Sequence, residues 1–121
     1  MVEKMLSVCL KRLGFSPSQK GYHTIFHAVL LVLDNPQFVH TLVKRLYPLL
    51  ADEANVSSWA IERRIRIATE RAWLNADPLY IEEVFQYSFH YNKSRPTNQQ
   101  LIATIAEFIR LELIFNSNQE N

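Results

Sequence analysis

The chain has 121 residues and is 48% hydrophobic, which suits one domain around a single core and is too apolar for a disordered segment. Two glycines and few alternating apolar runs argue against a β-sandwich or barrel, and the longest apolar run, residues 28–33, falls far short of the ~20 residues that span a bilayer. The net charge is +1, so any attraction to nucleic acid must come from local basic patches, and the single cysteine, Cys9, excludes an internal disulfide and fits a reducing cytoplasm. No apolar leader of the signal-peptide kind is visible behind Glu3 and Lys4. The pattern predicts an all-α fold of about six helices over residues 1–115, with a polar tail at 116–121. Met5, Leu6, Cys9, Leu10 and Leu13 make a helical stripe that stops at Gly14. Ser16-Pro17, with Gln19 in the capping-box position, opens a very apolar helix to about Leu33, the expected central core element. Asn35-Pro36 begins another, carrying Phe38, Val39, Leu42, Val43 and Leu46. Pro48 suits the first position of a short helix with Leu50, Ala51 and Ala54 on its inner face, and Asn55 can take the left-handed conformation that ends it. After the long helix that follows, Asp77-Pro78 opens a short one containing Ile81, Val84 and Phe85. Residues 88–95 read as a polar, aromatic and basic loop, and Thr97 to Gln100 as a capping box for a final helix to about Phe115.

The most informative stretch runs from Ser57 to Trp73. At about 100° per residue, Ile61, Ile65, Ala68 and Ala72 share a narrow apolar stripe, while Trp59, Arg63, Arg66 and Glu70 fall on the far side. Such a helix docks by its back and offers arginines to an anionic partner. The short helix before it, the turn at Asn55, the plug Val56 and the cap Ser57 complete a helix-turn-helix candidate, in which small Ala51 permits close approach. The usual turn glycine is absent, so a plain αα-corner is the alternative.

Several segments, in order and at matching spacing over roughly residues 5–113, resemble the C-terminal DNA-binding effector domain of the sporulation master response regulator, the stage-zero sporulation transcription factor A family. They are Lys20-Gly21-Tyr22, Leu46-Tyr47-Pro48, Ile61-Glu62-Arg63 with Ile65-Arg66 and Ala72-Trp73, Arg95-Pro96-Thr97-Asn98, and residues 108–112. The resemblance implies an all-helical domain built around a helix-turn-helix. In the family this domain follows a receiver domain whose phosphorylation promotes dimerisation and DNA binding. The family's recognition helix carries a Glu-Arg pair and a further Arg one turn on, here Glu62, Arg63 and Arg66, and its basic residue before Pro-Thr-Asn is here Arg95. These four carry over as DNA contacts. Trp59-Ala60 stands where the family has Ser-Arg, Ile67 where it has a histidine, and Arg64 and Arg71 where it has small or apolar residues. The resemblance therefore implies the same mode of binding, while the family's target sequence does not carry over. The 121 residues hold no receiver segment, and the Met1 start favours a stand-alone relative over an excised domain.

Physical roles follow. Arg63 and Arg66 share a face and suit bidentate pairing with guanine O6 and N7, while Glu62 suits a cytosine amine or the orienting of an arginine. Arg64, Arg71, Lys93 and Arg95 suit phosphates, and Trp59, in the first turn, faces the same way as Arg63. For Glu62 and Glu70 the plain alternative is intrahelical ion pairing with Arg66, or with Arg63 and Arg71. The partners expected are double-stranded DNA and, as an option on tandem sites, a second copy as a homodimer; no membrane and no small-molecule substrate is expected. His23 and His27 have helical zinc spacing but no third ligand, and read as surface histidines. Tyr87, Phe89 and Tyr91 alternate beside Lys93 and Arg95 and read as packing the loop rather than stacking on bases, and Trp73 reads as core. No phosphate loop, catalytic triad or metal set is present in the pattern, so no cofactor, no metal and no enzyme activity is expected. The competing reading is a helical protein-interaction module that kept the fold and lost DNA reading, with Trp59 and Ile67 as its contact patch.

Overall fold

Helix starts and stops fall largely where capping chemistry puts them in the computed structural model, which describes residues 1–86 and 95–119. The helices are α1 (Val2–Arg12), α2 (Lys20–Asp34), α3 (Tyr47–Ala54), α4 (Ser58–Asn75), α5 (Pro78–Phe85) and α6 (Asn98–Gln119), with no strand among the described residues. Ser57 Oγ accepts from the Ala60 N–H at 3.0 Å and Asp77 Oδ1 from the Leu79 N–H at 3.0 Å, so each fills one of the donors that a helix start leaves open. Thr97 and Gln100 cap reciprocally: the Gln100 N–H reaches Thr97 Oγ1 at 3.1 Å, and the Thr97 N–H reaches Gln100 Oε1 at 2.9 Å. Asn55 ends α3 at φ 55°, ψ 47°.

Three boundaries and one inner face differ from the expectation. The Ser16 N–H does reach Gln19 Oε1, at 3.5 Å, but residues 17–19 form a turn and α2 begins only at Lys20. The helix expected from Asn35-Pro36 is a 3₁₀ turn over Pro36–His40, a break at Thr41 (φ −134°, ψ 40°) and a wide π turn over Leu42–Leu46 that runs directly into α3. Pro48 is the physical reason for the wide turn. It has no N–H to donate, and its ring presses on the carbonyl four residues back, so a looser turn relieves it. The Leu46 N–H accordingly reaches five residues back to the Thr41 carbonyl at 3.2 Å. Ala54, expected on the inner face of α3, is exposed, while Leu50 and Ala51 are buried. Finally, α6 continues past Phe115 to Gln119, because extending an established helix avoids the cost of nucleation.

The core draws Leu6, Leu10 and Leu13 from α1 and its end, Ile25, Ala28 and Val29 from α2, Ile61 and Ile65 from α4, and Leu101, Ile105 and Ile109 from α6 into one cluster. The expected central helix, α2, packs on both α4 and α6. Gly21 sets how close α2 and α4 come: a Cβ there would collide with Ala68 Cβ and the Arg64 carbonyl oxygen. Gly14 sits at φ +99°, where a side chain would be strained and would also meet the Ala72 carbonyl oxygen at 2.6 Å. Cys9 is buried, and burial pushes its thiol up to about 11, so it packs rather than reacts. Trp73 is half-buried with its ring edge-on to Phe85 at 5.6 Å, and its Nε1 has no hydrogen-bond partner among the described residues.

Candidate nucleic-acid interface

Ile61, Ile65, Ala68 and Ala72 are each at most 3% exposed, so the back of α4 is locked into the core. That fixes the outward direction of the opposite face, where Trp59 is 67% exposed and Arg63 is exposed. The turn from α3 holds its shape through the Val56 N–H, which donates to the Ala51 carbonyl at 3.0 Å, with Val56 against the core and Ala51 buried beneath. A short helix, a left-handed turn and a longer helix with an arginine face is the helix-turn-helix arrangement.

The outer face has two electrostatic zones. In the first turns, the Arg63 guanidinium lies over the Trp59 ring at 5.6 Å and makes no ion pair among the described residues. One turn on, Arg66 Nε donates to Glu62 Oε1 at 3.1 Å, and its Nη1 lies 3.8 Å from Glu70 Oε1. Arg95, from the segment before α6, puts Nη2 2.9 Å from the same Glu70 oxygen. Glu62, Arg66, Glu70 and Arg95 therefore form one balanced chain of charge. All four side chains are partly solvated, so the network is screened and contributes little stability, but it fixes where the two arginines point. Glu62 takes the arginine-orienting role, and the expected pairing of the acids falls on Arg66 and Arg95 rather than on Arg63 or Arg71.

Beside this network runs a groove of about 1150 Å³ between residues 39–44, α4 and the start of α6. His40, Lys44, Arg66 and Arg95 line it together with Glu62. Asn98 holds its walls in register, because one amide Nδ2 donates to the Tyr47 hydroxyl and to the Glu62 carbonyl, both at 3.1 Å. Burial raises the Tyr47 hydroxyl above its ordinary range, and the Asn98 contact works against that rise. Gln99 Nε2 adds a bond to the Val39 carbonyl at 2.9 Å. Sequence reasoning did not assign roles to Asn98, Gln99 or Tyr47, since contacts between residues 36 to 60 apart leave no mark on local periodicity.

The remaining candidates are dispersed. Arg64 lies on the other flank of α4, lining a separate groove with Lys20, His23 and His27. Arg71 is exposed, and its carbonyl accepts from Asn75 Nδ2 at 3.4 Å. Lys93, with Tyr87, Phe89 and Tyr91, lies outside the described residues. His23 Nε2 is 2.8 Å from the Pro17 carbonyl oxygen, and no group of three or more metal-ligand side chains occurs among the described residues. No helix among the described residues is long and apolar enough to cross a membrane. A family model for the C-terminal domain of the sporulation initiation factor Spo0A matches residues 6–109, which includes α4, the Arg95 segment and the whole buried core. The chain belongs to that family, whose domain is a DNA-binding effector of sporulation transcription.

Proposed function

We propose that this chain is a sporulation-type transcription regulator of the cytoplasm that binds double-stranded DNA sequence-specifically, with α4 over about residues 58–73 in the major groove. The observation that carries this reading is the pair Arg63 and Arg66 on the solvent face of a helix whose back is fully buried. Arg63 is free to form a bidentate pair with a guanine edge, and Arg66 is aimed by Glu62. Arg64, Arg71, Lys93 and Arg95 contact phosphates, which set register without reading sequence. Trp59 lies closest to the duplex in the first turn. Ala60 and Ile67 remove two polar contacts of the family pattern, so the family's target site does not carry over to this chain. A homodimer on tandem sites is the assembly this reading allows.

The experiment is selection of a preferred duplex from a random pool, followed by titration of Arg63→Ala and Arg66→Ala. Each loses ~1–3 kcal/mol of specific affinity with an unchanged circular dichroism spectrum. Unchanged affinity in both variants rejects readout by α4. The second reading, a protein-interaction module, draws on the 67% exposure of Trp59. The two separate by salt: DNA affinity falls steeply as salt rises, whereas an apolar contact centred on Trp59 does not.

A further inference from the structure

The groove on the Arg64 flank of α4 has a volume of about 360 Å³ and lies between α2, α3 and α4. Thr24, Leu50 and Ile61 are buried and form its floor. The charged and titratable groups facing it are Lys20, His23 and His27 from α2, Glu53 from α3 and Arg64 from α4. The fixed cations Lys20 and Arg64 exceed Glu53 by one charge, and protonation of both histidines raises that excess to three. Two fixed cations in the walls disfavour a metal ion and favour an anion.

We propose that this groove seats a backbone phosphate of bound DNA, held by Lys20, Arg64 and the imidazolium forms of His23 and His27. The proposal rests on the reading of α4 as the major-groove helix. A helix in that groove has the phosphates of one strand along each flank. Arg64 is displaced about 100° around α4 from Arg63, so it sits beside the base-facing surface. The Arg95 groove serves one flank and the histidine groove the other.

The histidines are built into this site. They stand one turn apart on α2 and therefore share its face. Tyr22 meets the His23 ring edge-on at 5.2 Å, and Phe26 meets the His27 ring edge-on at 6.2 Å. The Pro17 carbonyl can only accept, so His23 Nε2 carries the proton in that 2.8 Å bond. The ring then gains a second N–H for a phosphate oxygen only as the imidazolium. A bound phosphate favours that charged form, so the contact strengthens as pH falls.

The test measures affinity for the selected duplex and for a scrambled duplex, at pH 8 and pH 6 and at fixed salt. Wild-type affinity rises about tenfold on both duplexes as pH falls, because a phosphate contact is blind to sequence. His23→Gln/His27→Gln removes most of that rise. Both histidines are exposed, so the fold is retained, and Arg64→Gln probes the same groove independently by weakening both duplexes by the same factor. A rise that persists in the double variant, or one that disappears with His40→Gln instead, overturns the histidine groove and leaves the DNA reading standing. Absence of duplex binding at both pH values overturns both.

Discussion

Two arginines one turn apart on the same face of α4 are placed in opposite electrostatic circumstances. Arg63 rests over the Trp59 ring with no carboxylate partner among the described residues. Arg66 is held between Glu62 and Glu70, and Glu70 is shared with Arg95. In the proposed DNA-binding reading, the free arginine supplies attraction at once but must be ordered when it binds. The paired arginines are already ordered but must exchange carboxylates for phosphate or base acceptors. A helix that divides these roles obtains attraction from one turn and geometry from the next.

The largest way to break this comparison is to remove the platform under both turns. Ile65 is fully buried on the inner face of α4, and Ile65→Ala costs ~2–5 kcal/mol of stability in urea denaturation, with DNA binding lost only in proportion to unfolding. The next effect separates the two arginines. Arg66→Ala leaves Glu62 without its arginine and Glu70 with Arg95 alone beside an anionic partner, so it falls near the top of the ~1–3 kcal/mol range in DNA affinity and Arg63→Ala nearer the bottom. Adding Glu70→Gln to Arg66→Ala recovers part of the loss, measured as a double-mutant cycle on one duplex. Equal losses and no recovery would mean that the acids are irrelevant to binding.

Smaller effects sharpen the same contrast. Glu70→Gln alone frees Arg95, leaves Arg66 with Glu62 only, and strengthens binding to scrambled duplex more than to the selected one, while changing stability by less than ~1 kcal/mol, since its partners are solvated. The smallest change is Trp59→Ala. With its side chain 67% exposed, the substitution costs less than ~1 kcal/mol in thermal denaturation, about the worth of an exposed contact with Arg63. Its fluorescence nonetheless shifts when duplex binds. A loss of several kcal/mol would place Trp59 in the core instead.

Much of this was legible in the chain because local rules dominate an all-helical fold. Ser57, Asp77 and the Thr97–Gln100 pair announce helix starts by chemistry that acts within a few residues. The spacing of Ile61, Ile65, Ala68 and Ala72 fixes the direction of Arg63 without knowledge of what lies behind. What stayed hidden depends on residues far apart in sequence. Pro48 reads as a helix start, yet the chain enters α3 through a wide turn that begins after Thr41 and without a side-chain cap. Glu70 reads as a partner for its own helix, yet its shortest ion pair is with Arg95, brought in from beyond α5. Gly21 stands in a segment that carries the family resemblance, but its reason, the near contact with Ala68 and Arg64, appears only when α2 and α4 cross.

The most direct test of base reading by α4 compares wild type and Arg63→Ala on the selected duplex and on every single base-pair variant of it. Direct readout predicts that Arg63→Ala loses discrimination at one or two adjacent positions, where guanine is preferred, and retains it elsewhere. Loss by the same factor at every position would make Arg63 a phosphate contact, and an unchanged profile would contradict readout by this helix.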